Sequence, residues 1–424
     1  MSPEDLTGFI HKSHTAALQL TQIPTRERDS FLLALSDSVK KHKNLVLEAN
    51  TLDLEASREM AVPDLVLEWL KLTPERLNNA IECLMELARL PDPLTLHVGI
   101  NGYQRVPLGV VAFVFEGFPQ LSLIAAGMCL KVGNTIILKG GNESSHTHEA
   151  IASITKDVLA ARGFPEACIS SVPKGVVLKE LIVQEKYLRL VIPYGRPSFV
   201  QQVSKQATIS ALPIAMGNCY LYLSATGNLD FAKEVVLNSR KGDPDAINAI
   251  EKVVIHRSWL DRGLGDWLCN LRKQGLSLRG CSETTTYFRK LAEESEPNSQ
   301  YHQAIESENI WGQAYLDETL AIKIVDSLDE AISWINQYSS GHAEVLLTDS
   351  LSERDRFVSL INSSTIFVNA HSRFSRCTKT GDNVKIALGM SSLKTRGASR
   401  YPGVIDIYAL TTTKQVLTAS SWSR

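Results

Sequence analysis

Hydrophobic positions near the start of the chain recur at the period expected of helices. Residues 25–49 carry apolar side chains at helical spacing, among them Phe31 and Leu35, with charged side chains between them. Thr73 followed by Pro74 predicts the start of another helix, because threonine caps a helix and proline fits its first turn. The region up to residue 90 is therefore predicted to be helical, and its sequence indicates no site.

The pattern changes at Val110. A continuous apolar run, Val110–Phe115, predicts a buried strand, and the segment Leu121–Lys131 predicts a helix behind it. A second apolar run at residues 135–138, a helix at 143–161 and a further strand at 188–192 continue the alternation. Short apolar strands that alternate with helices are typical of an α/β fold with a parallel sheet covered on both faces.

Ligands of open parallel sheets bind beyond the carboxyl ends of the strands. The turns at residues 116–119 and 139–143 are therefore predicted at the ligand edge. A third turn, residues 193–198, contains Arg196 and precedes a helix whose free amides could hold a phosphate. No GxGxxG motif or P-loop is present, so an ordinary α/β turn also remains open there.

Residues 94–109 alternate loosely around Asn101-Gly102, which predicts a β-hairpin because both residues tolerate positive φ. From this feature alone, an arm that contacts a neighbouring subunit and a simple surface hairpin are equally open.

The stretch at residues 239–256 has the character of a site but lacks an attacking group. It begins as a polar loop broken by Gly242 and Pro244 and ends in the β-branched run 253–255. Loops of this kind often carry chemistry in α/β proteins. This loop contains no cysteine, and it has no histidine before the strand ends.

Charge and composition exclude several classes of protein. A net charge of −2 argues against nucleic-acid binding, which usually needs a basic excess. The 7 cysteines are dispersed without a CxxC pair, which indicates reduced thiols in a cytoplasmic protein and no metal site. The most apolar stretch, residues 106–130, is interrupted by Glu116 and Pro119, so we expect no membrane span and no signal peptide.

Five segments in collinear order carry a resemblance to a known family. They begin at Arg105 (Arg-Val-Pro-Leu-Gly-Val), Cys129 (Cys-Leu-Lys-Val-Gly-Asn-Thr-Ile-Ile-Leu-Lys-Gly-Gly), Ile192 (Ile-Pro-Tyr-Gly), Asn248 (Asn-Ala-Ile-Glu) and Phe367 (Phe-Val-Asn-Ala-His-Ser-Arg-Phe). The chain resembles γ-glutamyl phosphate reductase, a branch of the aldehyde dehydrogenase superfamily, over nearly its whole length.

The resemblance implies an aldehyde-dehydrogenase-like α/β fold. Its Rossmann-type cofactor domain would comprise residues 1–93 and 110–221, and its α/β catalytic domain residues 222–402. Residues 94–109 and 403–424 would form a β-hairpin oligomerisation arm, which implies a homo-oligomer, either a dimer or a tetramer.

The resemblance also implies an activity, the NADPH-dependent reduction of L-glutamyl 5-phosphate to L-glutamate 5-semialdehyde in proline biosynthesis. On the family pattern, Lys139 would reach the adenine-side ribose and Asn142 would lie near its 2′ position. The cofactor-binding residues implied in full are Lys139, Gly140, Gly141, Asn142, Gly195, Arg196 and Ser198. The substrate-loop candidates are Asn369, Arg373 and Phe374.

The sequence departs from the family at the reacting end of the site. The family's nucleophilic cysteine stands directly before the Asn-Ala segment, where this chain has Ile247 beside the retained Asn248 and Glu251. Isoleucine cannot form the thioester that the chemistry requires. Cys219 matches a different family position inside an apolar run and is predicted to be a buried structural thiol. We therefore assign no catalytic residue.

Other departures cluster with this one. Ala314 replaces the family's glutamate in Trp-x-x-Glu-Tyr-Leu, and Tyr194 and Phe118 replace two family arginines. Arg196 replaces a family glycine, and a glycine-rich family segment begins here with Cys377. The resemblance thus implies weakened NADP(H) binding.

Three interpretations remain open. In the first interpretation, the chain is a silent or impaired paralogue with a binding or regulatory role, and its partner is an active reductase or glutamate 5-kinase. Alternatively, it is a working reductase that passes hydride directly to an activated acid without a covalent intermediate. In the third interpretation it catalyses a different reaction, with Asp243, Asp245 or His371 as acid or base.

Overall fold

The computed structural model describes residues 3–95, 97–98, 102–173, 175–295, 303–304, 308–381, 383–394 and 401–416. Its helices are α1 (Pro3–Leu20), α2 (Thr25–Lys41), α3 (Lys43–Glu59), α4 (Asp64–Leu70), α5 (Pro74–Arg89), α6 (Leu121–Lys131), α7 (Ser145–Ala161), α8 (Leu178–Leu181), α9 (Pro197–Gln206), α10 (Leu229–Ser239), α11 (Leu264–Lys273), α12 (Ser282–Ser295), α13 (Leu328–Tyr338) and α14 (Leu351–Leu360).

The strands are β1 (His97–Val98), β2 (Tyr103–Pro107), β3 (Val110–Phe115), β4 (Thr135–Gly140), β5 (Ile169–Ser171), β6 (Leu188–Gly195), β7 (Ile214–Ala215), β8 (Cys219–Leu223), β9 (Ile250–His256), β10 (Ser277–Gly280), β11 (Gln303–Ala304), β12 (Thr319–Val325), β13 (Ala343–Leu347), β14 (Thr365–Val368), β15 (Cys377–Thr380), β16 (Asn383–Ile386), β17 (Gly389–Ser391), β18 (Gly403–Ile405) and β19 (Thr411–Gln415).

The chain divides into two compact units. The first comprises Met1–Ile214, Ser375–Gly389 and Val404–Arg424, and the second comprises Ala215–Phe374 and Met390–Gly403. This division differs from the domain boundaries drawn from the sequence, because Ser375–Gly389 belongs to the first unit.

The first unit contains a five-stranded sheet in the order β5-β4-β3-β6-β7. Strand β3 pairs in parallel with both β4 and β6, and every one of its residues is buried. A strand buried on both faces needs a continuous apolar sequence, and this requirement explains the run Val110–Phe115. The carboxyl ends of β3, β4 and β6 consequently share one edge of the sheet.

The second unit contains a seven-stranded sheet in the order β11-β10-β12-β9-β8-β13-β14. Alternate residues of its central strands face two separate cores, since Leu221 and Val253 belong to one apolar cluster and Tyr222 and Val254 to the other. The sheet is therefore covered on both faces, as expected of a parallel sheet.

Most predicted elements lie where the sequence places them. Thr73 caps α5, and its side chain accepts a hydrogen bond from the Arg76 N–H. The single helix predicted for residues 25–49 is instead two helices, α2 and α3, which meet at His42. The turn predicted at residues 193–198 is also shorter, because β6 continues to Gly195 and α9 begins at Pro197.

The predicted hairpin is present as the antiparallel pair β1 and β2. Gly102 has a φ of +69°, while Asn101 lies outside the described residues. Strand β19 pairs with β2 and completes a three-stranded sheet. Among the described residues, no helix is both long enough and apolar enough to cross a membrane.

Candidate functional site

A pocket of about 330 Å³ lies at the carboxyl ends of β3 and β4 in the first unit. Of the predicted cofactor residues, Lys139, Gly140, Gly141 and Arg196 line it. Its apolar wall is formed by Val62, Pro63, Val66, Val114, Phe115, Val176, Leu178 and Phe199. A concave site of this volume, mainly apolar with a few charged groups, has the character of a small-molecule site.

The remaining predicted cofactor residues lie around this pocket without lining it. Asn142 and Ser198 are exposed, at the start of the short 3-10 helix 142–144 and in the first turn of α9. Gly195 ends β6 with a φ of +149°, and an added Cβ would lie 2.8 Å from Glu116 Oε2. Only glycine permits both this backbone conformation and this approach.

Glu116 and Arg196 form a close ion pair at the pocket. The Arg196 Nη2 donates to Glu116 Oε1 at 2.7 Å, and Nε donates to Oε2 at 3.2 Å. The backbone N–H of Arg196, at the start of α9, donates to the same Oε2 at 3.1 Å. The hydrogen bonds that the Arg196 guanidinium donates to Glu116 raise the pKa of Arg196. A carboxylate of the protein thus holds a helix-end amide that could otherwise bind a phosphate.

Glu143 supplies a second carboxylate to the pocket. Its Oε1 accepts the Gly117 N–H at 3.1 Å, and a Cβ added at Gly141 would collide with its Oε2. Glu116 and Glu143 belong to the two turns predicted at the ligand edge, although neither was named among the cofactor-binding residues. Glu116 directly follows β3, and Glu143 lies three residues after the end of β4. Ligands of parallel sheets bind at these carboxyl ends, so the positions of both residues indicated a role in binding.

The two positions that match family arginines are filled by packed aromatic rings. Phe118 and Tyr194 are both 0% exposed, and their ring centroids lie 5.9 Å apart. Trp69 also packs against Phe118, with ring centroids 5.2 Å apart. The buried Arg376 donates from Nη2 to the Tyr194 hydroxyl at 2.6 Å. Sequence reasoning did not identify Arg376, because its partner is distant in the chain and no local pattern marks it.

In the second unit, Ile247 lies in the loop between α10 and β9. Its side chain is 0% exposed, and its carbonyl accepts the Gly217 N–H at 3.0 Å. The preceding Ala246 has a φ of +35°, in the left-handed region that favours glycine. The residue at the family's nucleophile position is therefore part of a packed loop and offers no reactive atom.

The retained neighbours of Ile247 have structural contacts. The Asn248 Nδ2 donates to the Ser372 carbonyl at 3.1 Å, and Asn248 Oδ1 is buried with no hydrogen-bond partner among the described residues. The Glu251 carboxylate accepts the backbone N–H groups of Tyr315 and Leu316 at 2.8 and 2.9 Å. It also pairs with the buried Lys252 at 3.0 Å.

Cys219 is the thiol nearest in structure to this loop among the contacts described, with Sγ 3.9 Å from the Ile247 carbonyl oxygen. Burial, followed by the charge of Glu344, raises its pKa well above the ordinary value. A thiol so placed stays protonated, whereas a nucleophile must be a thiolate. The predicted burial of this thiol is confirmed.

The substrate-loop candidates separate into different roles. The Asn369 side chain bonds both the N–H and the carbonyl of Thr348, at 3.0 and 2.8 Å, and it stabilises a backbone with a φ of +48°. The exposed Arg373 lies over the loop, with Nη2 3.3 Å from the position of a Cβ at Gly242. Phe374 is half-buried. Arg373 therefore lies at the loop of Ile247 with an exposed polar side chain. Asn369 does not, because its side chain is bonded to Thr348.

The residues considered as alternative acids or bases are already engaged. Asp243 and Asp245 both take part in polar interactions, and Asp245 is buried. His371 packs edge-on against Phe231, with ring centroids 5.1 Å apart. Ala314 is half-buried. The Gln313 carbonyl before it accepts a hydrogen bond from the Lys252 ammonium, and the Tyr315 N–H after it donates to Glu251. Within the described ranges, no group of three or more His, Cys, Asp or Glu side chains could hold a metal ion.

Two parallel-sheet units with a pocket at a sheet edge define an aldehyde-dehydrogenase-like α/β protein. The profile of the aldehyde dehydrogenase family matches residues 1–239. A probable aldehyde dehydrogenase from Listeria monocytogenes EGD-e has the same fold, with a TM-score of 0.71 at 14% identity over 99% of this chain and 97% of that chain. The predicted fold class is confirmed.

More similar proteins narrow the class. "Gamma-glutamyl phosphate reductase 2" of Synechocystis sp. (strain ATCC 27184 / PCC 6803 / Kazusa) is 40% identical, over 99% of this chain and 98% of the relative. "Gamma-glutamyl phosphate reductase" of Gloeobacter violaceus is 34% identical, over 99% and 98%. The crystal structure of the Thermotoga maritima enzyme of that name matches with a TM-score of 0.85 at 28% identity, over 99% of this chain and 100% of that chain. The chain belongs to the γ-glutamyl phosphate reductase family.

Proposed function

We propose that this chain binds a nicotinamide dinucleotide and acts as a binding or regulatory member of its family, without the family's thioester chemistry. The observation that carries the proposal is Ile247, which is fully buried at the nucleophile position. The neighbouring Cys219 is held protonated and cannot replace the missing thiolate.

The pocket of the first unit fits the adenosine half of NADP(H). Lys139 and Arg196 provide positive charge, and Glu143 provides an acceptor for ribose hydroxyls. When bound, the cofactor supplies a hydride. This chain's contribution is to hold its adenosine half, while the packed pair Phe118 and Tyr194 offers no charge where the family has arginines.

The decisive experiment combines cofactor binding with turnover on the pure protein. We expect NADPH at 100 times Kd to stabilise the fold by about 2.7 kcal/mol in a thermal-shift titration. We expect no reduction of glutamyl phosphate, and no oxidation of glutamate semialdehyde in the presence of phosphate. Turnover at about 1–1000 per second, the usual range for enzymes, would overturn the proposal.

A matched variant ties binding to the described pocket. Gly195→Ala places a Cβ against Glu116 and strains a positive φ, so we expect it to abolish the NADPH-induced shift. Gly163→Ala is the control, because this glycine also has a positive φ and its Cβ would have no atom within 4 Å. An unchanged shift in Gly195→Ala would place the cofactor elsewhere, and equal loss in both variants would mean that the effect is not specific to the pocket.

The same assay separates the second interpretation, in which hydride passes directly from the cofactor to an activated acid. Positioning alone can lower a barrier by about 7–11 kcal/mol, so such a reaction is chemically reasonable. It predicts turnover that thiol-alkylating reagents leave unchanged. Binding without turnover favours the regulatory role.

We also propose that the chain assembles as a homo-oligomer, a dimer or a tetramer, through the arm formed by β1, β2 and β19. A regulatory member needs a partner, and an active reductase subunit or glutamate 5-kinase are the candidates that the family suggests. Light scattering on the pure chain tests the homo-oligomer. Co-expression with each candidate in the cytoplasm of a host, followed by co-purification, tests the partner.

A further inference from the structure

Two cysteines of the first unit are close neighbours on adjacent elements. Cys83 is on α5 and is 0% exposed, whereas Cys377 begins β15 and is partly exposed. The two thiols are close enough for each to shift the pKa of the other, and both are free cysteines. The contact joins a helix near the start of the chain to a strand near its end.

Charged pairs hold the same strand on the same helix. The Lys379 ammonium, two residues along β15 from Cys377, contacts Glu82 Oε1 at 2.6 Å and Glu86 Oε1 at 3.0 Å. Alternate residues of a strand point to one face, so Cys377 and Lys379 both face α5. The thiols are thus brought together by a defined register between β15 and α5.

The two thiols have complementary properties. The hydrogen bond from Cys83 lowers the pKa of Cys377, and the nearby Lys379 acts in the same direction. The hydrogen bond and burial raise the pKa of Cys83. A partly exposed thiol with thiolate character beside a protected one has the arrangement of an attacking and a resolving cysteine.

We propose that Cys83 and Cys377 form a reversible disulfide that fastens the hairpin β15–β16 to α5. The residue before Cys377 is Arg376, whose guanidinium holds the Tyr194 hydroxyl at the end of β6. The disulfide therefore constrains the start of this hairpin next to the turn that leads into α9. The proposal does not depend on the proposed function.

The oxidant is a small-molecule disulfide such as oxidised glutathione. The Cys377 thiolate attacks one glutathione sulfur, forms a mixed disulfide and releases one glutathione thiolate. Cys83 then attacks the Cys377 Sγ while its proton passes to the departing glutathione sulfur, and the second glutathione leaves as a thiol. The two cysteines are oxidised, one glutathione disulfide is reduced to two thiols, and excess thiol reverses the reaction.

The test uses the full chain equilibrated in glutathione buffers from fully reduced to fully oxidised. Free thiols are then alkylated, and peptides are mapped without reduction by mass spectrometry. We expect an intramolecular cross-link between the peptides of Cys83 and Cys377 in oxidising buffer and its loss after dithiothreitol. We also expect oxidation to raise the thermal midpoint, because closing a long loop constrains the unfolded chain.

Two serine variants make the result specific. Cys377→Ser changes a partly exposed residue and should remove both the cross-link and the midpoint shift. Cys281→Ser is the matched control, because Cys281 is also partly exposed but its Sγ contacts Thr284 Oγ1 at 3.1 Å. It should leave both readouts unchanged. A glutathione adduct on Cys377 without the cross-link, a cross-link between chains only, or an unchanged midpoint shift in Cys377→Ser would overturn the proposal.

Discussion

The turn after β4 in the first unit and the loop before β9 in the second unit use their polar groups in opposite ways. Around the turn, Lys139, Glu143 and Arg196 keep part of their surface open and line a pocket of about 330 Å³. Around the loop, Ile247 and Asn248 are buried in contact with the surrounding backbone. Binding groups are thus available in the first region, and reactive groups are missing from the second.

The ionisable groups near Cys219 sharpen this contrast. Burial raises the pKa of Cys219 and raises the pKa of Glu344 to about 7, and burial lowers the pKa of His342 to about 4. Each shift favours the neutral form. A region that keeps thiol, carboxyl and imidazole groups neutral is suited to packing and gives no support to a thiolate.

The largest expected effect concerns Glu251, because the comparison of the two regions gives this residue a structural role. Glu251→Leu leaves Lys252 buried without its anion and leaves the Tyr315 and Leu316 amides without their acceptor. We expect the free energy of unfolding to fall by about 3–5 kcal/mol, measured by urea denaturation. The double variant Glu251→Leu/Lys252→Met should recover a large part of this loss. A loss below about 1 kcal/mol would mean that the loop scaffold is not held by this pair.

The next effect compares two histidines with lowered pKa values, the half-buried His148 in the first unit and the buried His342 in the second. Burial, followed by the charge of Lys139, lowers the pKa of His148 to about 4. As the pH falls below about 6.5, His148 takes up a proton in the unfolded chain but stays neutral in the folded chain. The stability present above that pH is therefore lost progressively between about pH 6.5 and pH 4. From pH 7 to pH 5 this loss amounts to about 2 kcal/mol. His148→Gln should remove it from urea denaturation curves measured at both pH values.

His342 provides the matched comparison in the second unit. Its lowered pKa has the same sign, but the raised pKa of Glu344 acts in the opposite direction between about pH 4.5 and pH 7. The two contributions nearly cancel in that range. His342→Gln should therefore make the chain more stable at pH 5 than at pH 7 relative to the parent. Glu344→Gln should instead increase the loss of stability from pH 7 to pH 5, and an unchanged profile in this variant would contradict the assignment of Glu344 as the opposing group.

Local patterns predicted the elements that depend on local rules. The Thr73-Pro74 start of α5 and the buried strand Val110–Phe115 needed only capping chemistry and apolar periodicity. The position of Ile247 followed from the resemblance, because the Asn-Ala segment beside it is retained. These parts were accessible because each depends on neighbours in sequence.

Contacts between distant residues were not accessible in the same way. The Arg196 pair with Glu116 and the Arg376 bond to Tyr194 join segments far apart in the chain, and only the folded sheet brings them together. The contact of Cys83 with Cys377 is of the same kind, so the dispersed cysteines gave no sign of a pair. The break at His42 was missed because the apolar period continues on both sides of it.

A smaller effect is expected from restoring a cysteine at the nucleophile position. Ile247→Cys removes apolar volume from a fully buried site, so we expect a loss of about 1–2 kcal/mol in urea denaturation. We expect no turnover, because Phe118, Tyr194 and Ala314 still differ from the family. Ile247→Val is the control for the lost volume without a thiol. Turnover in the cysteine variant would show that a single residue separates this chain from an active enzyme.

The smallest effect tests whether the Glu116–Arg196 pair limits cofactor choice. The Arg196 side chain is 38% exposed, so breaking the pair with Glu116→Gln should change the free energy of unfolding by less than about 1 kcal/mol. The guanidinium and the first amide of α9 would then be available to the 2′-phosphate of NADPH. We expect the Kd for NADPH to fall about 5-fold relative to that for NADH, which corresponds to about 1 kcal/mol. Arg196→Ala should remove this preference, and equal changes for both cofactors would mean that the pair does not contact the 2′ position.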